Sequence, residues 1–456
     1  MKTLSMTLAA TLLLAACAGA PLRSPGELPV APAAFKEAAP ATAATPSRAA
    51  WWETFGDPLL DDLAQRAAAH NRSLQVAAAR LAQARALLAR TEAERRPQVQ
   101  LAAGAGREST LATQGRASTS LGLGASLAWE VDVAGRLARA GDAAALDARE
   151  REALLNDARL LVQAEVARSY FALRALDAER ALVRATVQSH RDTLQLTERR
   201  LAAGDVPELE VARVRTELAT NEAEALALDR QRSQVEHALA LLVGEAASDF
   251  AIAEGGTAAT LPQVPAGVPS TVLARRPDIA ATRHALLAAQ ARLGIAETAW
   301  WPSLALTANG GLASPELGDL LRAGARSWGL SVLLSLPVFD GGRREAGIAA
   351  SQAEMAAALA RHQDQALVAF REVEDELAAV RLLADQAAAQ ARAVDAAARV
   401  SALSMARYRN GYVSQFELLE AQRSELRSRR QQAQVSAARF QATVGLIRAL
   451  GGGWGE

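Results

Sequence analysis

The sequence predicts an α+β protein that contains one plan twice: a helix, two strands and a long helical hairpin. No proline lies between Pro97 and Pro207 or after Pro337, which leaves room for very long helices. A segment of alternating apolar and polar residues precedes the expected start of each long helix, as expected for strands. Matching residues of the two halves lie about 205 to 207 positions apart, as Pro97 and Pro302 do, which indicates an internal duplication.

The composition weighs against several functional classes. The chain has 456 residues with 50 Lys plus Arg and 50 Asp plus Glu, so bulk charge gives no support for nucleic-acid binding. Aromatic residues make up 4% of the chain and hydrophobic residues 50%, mostly Ala and Leu. This composition is typical of long helices that pack through small residues.

The N-terminus has the pattern of a bacterial lipoprotein signal. Residues 1–16 combine Lys2 with an apolar run that ends in "LAAC" at Cys17, the only cysteine. This pattern predicts cleavage before Cys17 and a thioether from its sulfur to diacylglycerol. An ordinary signal peptide with an incidental cysteine is the alternative. Residues 17–50 are rich in Pro and Ala, and we expect them to form an extended, lipidated tether.

The first repeat is expected to span residues 51–250. A helix should run from Leu59 to Arg96, and strands should follow at about 98–108 and 119–133. A helical hairpin should then cover 136–242. Its apolar residues recur near a 3.5-residue spacing, as expected for coiled-coil packing.

The second repeat is expected at residues 276–450, after a linker at 251–275 and before a tail at 451–456. The predicted elements are a helix from Pro277, strands at about 303–313 and 326–339, and a helical hairpin at 342–450. The alternation in the strands fits a soluble sheet packed on a core, or a membrane barrel whose apolar face meets lipid. The lipoprotein signal favours the barrel. Because about eight strands are the minimum for such a barrel, several chains would have to contribute.

The turns of the two predicted hairpins have related sequences. "RLAAGDVPELEVARVR" begins at Arg200 and "RYRNGYVSQFELLEAQR" begins at Arg407, with Arg, Gly and Val at the same spacing. Gly204 and Gly411 can adopt positive φ and end a helix at little cost.

Several short motifs occur in a fixed order over nearly all of the mature chain. They are the lipobox at Cys17, "WWETFGDPLLDDL" at 51–63, "NRSLQVAAARLAQARA" at 71–86, "RRPDI" at 275–279, "LPVFDGGRR" at 336–344, "LLEAQR" at 418–423 and "RALGGGW" at 448–454. Together they resemble TolC-type outer-membrane efflux proteins, in the lipoprotein branch that includes OprM and NodT-like members.

The resemblance implies a homotrimeric, TolC-like channel. Each chain would give four strands to a 12-stranded β-barrel, which a long α-helical barrel would continue into the periplasm of a Gram-negative cell. The channel would sit in the outer membrane, anchored by lipid on Cys17, with no other cofactor. It would be a passive conduit for small molecules such as drugs and toxic compounds. A periplasmic adaptor and an inner-membrane transporter, expected to be of the RND type, would deliver them.

The resemblance also assigns site residues. It places a periplasmic gate at Phe416, Glu420 and Arg423, which share one helix face because they are four and three residues apart. It places the adaptor contacts at the hairpin tips, at Arg200, Gly204, Val206, Arg407, Gly411 and Val413. The family usually has Asp where this chain has Glu420, which leaves the pairing in the gate open. The alternative is that both turns are simple helical hairpins.

No pattern in the sequence predicts catalysis or a metal site, and we expect neither. None of the five histidines pairs with another at metal-ligand spacing on a helix. The acidic run "EVEDE" at 372–376 is interpreted as a solvated or lumen-facing helix patch, with a metal site as the alternative. Two other functions remain open. They are a type I secretion channel for proteins and, with soluble strands, a periplasmic coiled-coil structural lipoprotein.

Overall fold

The computed structural model describes residues 32–37, 50–109, 117–265, 267 and 269–452. The predicted signal peptide, Cys17, most of the predicted tether and the end of the predicted tail lie outside these residues. Two compact units are present, and each takes segments from both repeats. The described residues of the first unit lie within 79–153 and 280–365, and those of the second lie within 32–78, 154–279 and 366–452.

The helices repeat as the sequence predicts. After a 3-10 helix at Trp51–Phe55, the helices are α1 (Pro58–His70), α2 (Arg72–Ala93), α3 (Arg136–Ala202), α4 (Glu208–Val243), α5 (Pro269–Arg275), α6 (Pro277–Glu297), α7 (Arg343–Arg409) and α8 (Gln415–Ala449). The long helices α3 and α7 each have 67 residues. The return helices α4 and α8 begin at matching positions after the two turns. Among the described residues, no helix combines the length and the apolar character needed to cross a bilayer.

The four strands form one antiparallel meander in the first unit. They are β1 (Gln98–Glu108), β2 (Ser118–Val131), β3 (Ser303–Ser314) and β4 (Arg326–Ser335), paired in that order. The β2–β3 pair joins the two repeats, with Leu121 opposite Ser314. The expectation that β4 continues to residue 339 was wrong, because Pro337 has no N–H to donate to the ladder.

The apolar residues of the strands are not packed into a core of this chain. Trp328 is 84% exposed, and Leu330 and Val332 beside it on β4 are also mostly exposed. Leu101 on β1 is exposed as well. An apolar surface of this kind marks contact with lipid or with another chain. It argues against a soluble sheet that covers its own hydrophobic core.

The expected single helix from Leu59 to Arg96 is two helices, broken at Asn71. The Asn71 backbone is extended, and its side-chain oxygen accepts hydrogen bonds from the N–H groups of Ser73 (2.9 Å) and Leu74 (3.2 Å). Its amide donates to the carbonyl of Leu242 on α4 at 2.8 Å. Asparagine is a preferred residue at the N-cap because its short side chain can accept hydrogen bonds from the free backbone N–H groups at the start of a helix.

The second unit is held together by an aromatic cluster. Phe171 of α3 stacks on Phe440 of α8, with ring centroids 4.4 Å apart and an interplanar angle of 20°. Phe55 of the 3-10 helix lies 5.1 Å from Phe171. Next to the cluster, the hydroxyl of Tyr170 donates to the buried carboxylate of Asp57, which also caps α1. Because these rings are buried, this part of the unit is tightly packed.

The predicted tether is fastened to the second unit at residues 32–37. Phe35 is 4% exposed and packs with Val373 of α7 and Leu446 of α8. The N–H groups of Lys36 and Glu37 donate to the carboxylate of Glu374 at 2.7 and 3.0 Å. A buried phenyl ring and two hydrogen bonds therefore hold these six residues of the expected tether against the second unit.

The acidic run 372–376 is not simply a solvated patch, because its carboxylates hold other parts of the second unit. Glu372 lies 2.8 Å from the guanidinium of Arg276 and accepts a hydrogen bond from Arg448 at 3.2 Å. Nearby on α3, burial raises the pKa of Asp157 to about 6, and repulsion from Asp278 adds to the rise. Asp157, which lies beside this acidic run, is therefore a carboxyl group that titrates not far below neutral pH.

Asp157→Asn should stabilise the protein at pH 7 and lose this advantage in acid. Because the pKa of Asp157 is raised by folding, its contribution is most favourable below about pH 4 and is lost as the pH rises through about 6. We expect the variant to gain about 2 kcal/mol in the free energy of unfolding at pH 7. Thermal unfolding followed by circular dichroism from pH 4 to pH 8 measures this. A difference between variant and wild type that does not change with pH would contradict the assignment.

Candidate functional site

The two hairpin turns have the same backbone design. Gly204 has φ +81° and Gly411 has φ +74°, the left-handed region that the sequence predicted. The N–H of Asp205 donates to the carbonyl of Arg200, and the N–H of Tyr412 donates to that of Arg407, both at 2.9 Å. These bonds satisfy carbonyl groups that the helix ends would otherwise leave free.

The predicted adaptor-contact residues all lie at these turns. Arg407, Gly204 and Gly411 are exposed, and Arg200, Val206 and Val413 are partly exposed. The guanidinium of Arg200 lies 5.2 Å from the ring centroid of the buried Tyr408, so this residue links the two turns. At each tip, the glycine is exposed and the arginine and valine side chains are at least partly exposed. A partner could therefore reach all six residues.

Gly411→Ala should destabilise the second turn without any steric clash. A Cβ atom there would meet nothing within 4 Å, so the cost comes from the positive φ alone and should be about 1 kcal/mol. Gly347→Ala is the matched control. Gly347 lies in α7 with open space around it, and alanine there should stabilise the helix by about 0.5–1 kcal/mol. Chemical denaturation of both variants tests this, and shifts of the same sign would contradict it.

The predicted gate residues lie on α8, just after the second turn. Phe416 is 54% exposed, and the guanidinium of Arg213 lies 5.7 Å from its ring centroid. Arg423 contacts the carboxylate of Glu420 one turn before it. The structure thus brings Glu420 and Arg423 together, and it places Phe416 at the surface beside the first hairpin's return helix.

The strongest contact of Arg423 is one that the sequence did not predict. Its guanidinium binds the carboxylate of Glu217 on α4 through two nitrogens, with Nε at 2.9 Å. This fork-to-fork pairing is the strong form of an arginine–carboxylate contact. It connects the return helix of the first hairpin to that of the second. We call the Glu217–Arg423 pair the lock.

A second ion pair joins the same two helices one heptad further along. Arg430 lies 2.7 Å from Glu224, and these two residues follow Arg423 and Glu217 by seven positions each. Both pairs join residues 206 positions apart, which is within the offset of the repeat. Opposite charges at matching positions of the two repeats are therefore the signal that could have identified Glu217.

The environment of the lock keeps both of its members charged. Glu217 is buried, and the hydrogen bond from Arg423 holds the pKa of its carboxyl below the usual range against the opposing effect of burial. The same hydrogen bond raises the pKa of the Arg423 guanidinium. The pair therefore remains an ion pair at neutral and mildly acidic pH.

Polar side chains are buried among apolar ones around the lock, where Val214 on α4 and Leu419 on α8 are also buried. Buried residues near it are His190, Thr193 and Thr197 on α3, Tyr408 on α7 and Gln415 on α8. The amide of Gln415 donates to the hydroxyl of Thr197 at 3.3 Å. Among the described residues, the Tyr408 hydroxyl and the Gln415 side-chain oxygen have no hydrogen-bond partner. Buried polar groups without a partner cost free energy, so these contacts stabilise the helices less than fully satisfied ones would.

Within the described ranges, no group of three or more His, Cys, Asp or Glu side chains is arranged to hold a metal ion. The predicted lipidation site at Cys17 lies outside those ranges. The chemistry that the described site offers is reversible ion pairing between helices.

Comparisons with known proteins agree on one family. The family model described as "Outer membrane efflux protein" matches residues 63–245 and 268–452. The pyoverdine export outer membrane protein OpmQ of Pseudomonas aeruginosa is 32% identical over 465 residues, which cover 100% of this chain and 97% of that protein. The outer membrane protein OprJ of the same species is 32% identical over 453 residues, covering 98% and 95%.

The solved structures agree with the sequence relatives. The outer-membrane channel OprN superposes with a TM-score of 0.86 at 28% identity, over 96% of this chain and 99% of that one. This similarity confirms the predicted TolC-like fold.

Proposed function

The chain belongs to the outer membrane efflux protein family, and from this membership we propose that it is the passive outer-membrane conduit of a tripartite efflux system. It is an outer-membrane channel component of efflux, like its relatives. In the proposal an inner-membrane transporter supplies energy and selects the cargo, and a periplasmic adaptor joins the two. The channel itself catalyses no reaction and needs no cofactor other than a covalent lipid.

The working unit in this proposal is a homotrimer. The chain has four strands in one sheet. About eight strands are the practical minimum for a membrane barrel, and three chains provide twelve. The exposed apolar side chains of β1 and β4 support this, since they need lipid or a neighbouring chain to cover them. Native mass spectrometry in mild detergent should detect a trimer, and finding monomer alone would contradict the proposal.

The lock is the central element of the proposed gate. It ties α4 to α8 next to the turn that carries Phe416, and it also engages Glu420 through Arg423. Breaking it would free the second hairpin to move away from the first. If the double change Glu420→Ala with Arg423→Ala leaves single-channel conductance in planar bilayers unchanged, this gate is excluded.

The two tips are the proposed docking site for the adaptor. Their backbones are alike, and they leave Arg407 and Gly411 exposed. The partner beyond the adaptor is proposed to be a transporter of the RND type. Site-specific photocrosslinkers placed at Val206 and Val413 should capture an adaptor in cells, whereas the same crosslinker at exposed Leu87 on α2 should not.

Anchoring by lipid on Cys17 is a further part of the proposal. The support is the lipobox sequence at Cys17 and the fastening of residues 32–37, which follow Cys17 closely in the sequence, to the second unit. Metabolic labelling with a palmitate analogue should mark the wild type and not Cys17→Ser. Equal labelling of both would exclude it.

Small molecules, including drugs and toxic compounds, are the proposed cargo. The support is that OpmQ is named for pyoverdine export and that another relative, SrpC of Pseudomonas putida, is named for solvent efflux. A deletion strain tested against a panel of antibiotics, dyes and solvents should be hypersensitive to some of them. Unchanged susceptibility together with loss of secreted proteins would favour the type I secretion channel instead.

A further inference from the structure

We propose that His190 makes the gate sensitive to acid, because its protonated ring favours the state in which α8 has moved away from α3 and α4. This inference rests on the proposed gate and adds the regulation of that same site.

His190 lies deep between the three helices that the lock holds together. It is on α3, is 2% exposed and lines a cleft of about 560 Å³ between α3, α4 and α8. Both members of the lock line the same cleft. Among the described residues, His190 Nδ1 and the side-chain oxygen of Gln422 have no hydrogen-bond partner. The ring is therefore enclosed without an acceptor at Nδ1 that would favour an added proton there.

The charged groups that line the cleft are mostly paired with one another. They are Glu217 and Glu224 from α4, and Arg423, Arg427 and Arg430 from α8. Glu217 is neutralised by Arg423, and Glu224 by Arg430. On the same helix as His190, the neighbouring Arg191 is paired with Glu222. Glu179 on α3 also contacts Arg430, and Glu420 on α8 contacts Arg423, so the charges near the ring largely balance. Burial is therefore what disfavours an imidazolium in the closed arrangement.

The closed arrangement therefore holds His190 neutral. Burial lowers the pKa of the His190 ring, the charge of Glu217 offsets part of this, and the charge of Arg423 lowers the pKa further. Movement of α8 would bring water to the ring and remove Arg423, so the pKa would return toward its ordinary value of about 6.5. In the closed arrangement Glu217 stays ionised in mild acid, because the hydrogen bond from Arg423 holds its pKa low.

The sign of the effect follows from linkage between proton binding and opening. Well above pH 6.5 the ring is neutral in both states, so protons do not bias the gate. As the pH falls below about 6.5, the open state binds a proton that the closed state does not, and the equilibrium moves toward opening. Each unit by which closure lowers the pKa gives up to a tenfold change in the open-to-closed ratio per protomer.

Single-channel recording in planar bilayers tests this at pH 7.5 and pH 5.5. We expect the open probability of the wild type to rise up to about tenfold in acid, and that of His190→Gln to change less than about twofold. His284→Gln is the matched control. Burial also lowers the pKa of His284, but this residue lies on α6, outside the cleft, and the variant should respond like the wild type. Asp157, which titrates near pH 6, remains in all three channels.

The outcomes separate this inference from the proposed gate. If Arg423→Ala conducts freely at pH 7.5 while His190→Gln responds to acid as the wild type does, the gate stands and the inference fails. A wild type without any acid response also overturns the inference. If Arg423→Ala stays as closed as the wild type, the gate itself fails.

A second measurement covers the case in which His190→Gln does not assemble. Histidine hydrogen–deuterium exchange followed by mass spectrometry reports the pKa of each ring in the otherwise native channel. The pKa of His190 should rise when Glu217→Gln and Arg423→Gln are introduced together, because loss of the lock lets water reach the ring. The direct loss of the Glu217 charge acts in the opposite direction, so a rise reports opening. An unchanged pKa of His190 would overturn the inference.

Discussion

Alanine at Arg423 or at Glu217 should turn a closed channel into a leaky one. Arg423→Ala should have the larger effect, because it leaves the buried carboxylate of Glu217 without its ion-pair partner. Glu217→Ala should have a smaller effect, since Arg423 keeps its contact with Glu420. The weakest should be Glu420→Ala, because it leaves the lock intact.

The size of this effect follows from the exposure of the pair. Ion pairs at the surface contribute about 0–1 kcal/mol, and breaking a buried pair costs about 3–5 kcal/mol. In the lock the Glu217 side chain is 9% exposed and that of Arg423 is 45% exposed. We therefore expect an intermediate cost of about 1–3 kcal/mol per protomer for breaking the pair. This corresponds to about a 5- to 150-fold change in the ratio of closed to open channels.

Cells and purified channels can both report the leak. Cells that carry Arg423→Ala should become sensitive to a large antibiotic that the intact outer membrane excludes. Glu222→Ala is the matched control, because it removes an ion pair with Arg191 that is about half exposed and joins α3 to α4 without involving α8. Equal sensitivity of the two variants would show that loss of any interhelical charge pair causes the leak.

Phe171→Ala should cause the largest loss of stability. Phe171 is buried and contacts rings from α8 and from the 3-10 helix, so truncation would leave a cavity that the rigid surroundings cannot close. Substitutions of buried phenylalanine by alanine cost about 3–5 kcal/mol. We expect that much loss in the free energy of unfolding, measured by denaturant titration in detergent.

Leu226→Ala provides the comparison for this prediction. Leu226 lies on α4 in the same unit but is 70% exposed in a single chain, so alanine there should change the free energy of folding of one chain by no more than about 0.5 kcal/mol. If Phe171→Ala proves as mild as Leu226→Ala, the aromatic cluster does not hold the second unit together.

The two predictions concern opposite kinds of helix packing along α3 and α8. Around Phe171 and Phe440 the contacts are aromatic and well packed. Around Thr197 and Gln415 they mix buried apolar side chains with polar groups that are partly unsatisfied. The proposed gate requires the second hairpin to move near its turn while its far end stays in place.

Much of the fold was predictable from local patterns. Proline positions fixed where long helices were allowed, and period-two alternation located the strands to within a few residues. The repeat offset matched the starts of the long and return helices. The helix and strand positions depend on residues close in sequence, which is why a single sequence was enough to predict them.

The rest depended on contacts between distant residues. The break at Asn71 needed its bond to Leu242, and the fastening of Phe35 needed an apolar pocket formed by α7 and α8. Glu217 was missed because the rotation of α4 against α8 decides which carboxylate meets Arg423. Position alone showed that Glu420 and Arg423 share a helix face, but it did not show which partner binds more strongly.

Conductance of a charge-exchanged channel tests the central claim most directly. Glu217→Arg and Arg423→Glu are made singly and together, and purified channels are recorded in planar bilayers at pH 7.5. We predict that each single variant, which places like charges against each other, conducts freely. The double variant should be closed like the wild type because the pair is restored in reverse. A double variant as leaky as the singles, or singles as closed as the wild type, would contradict a gate locked by Glu217 and Arg423.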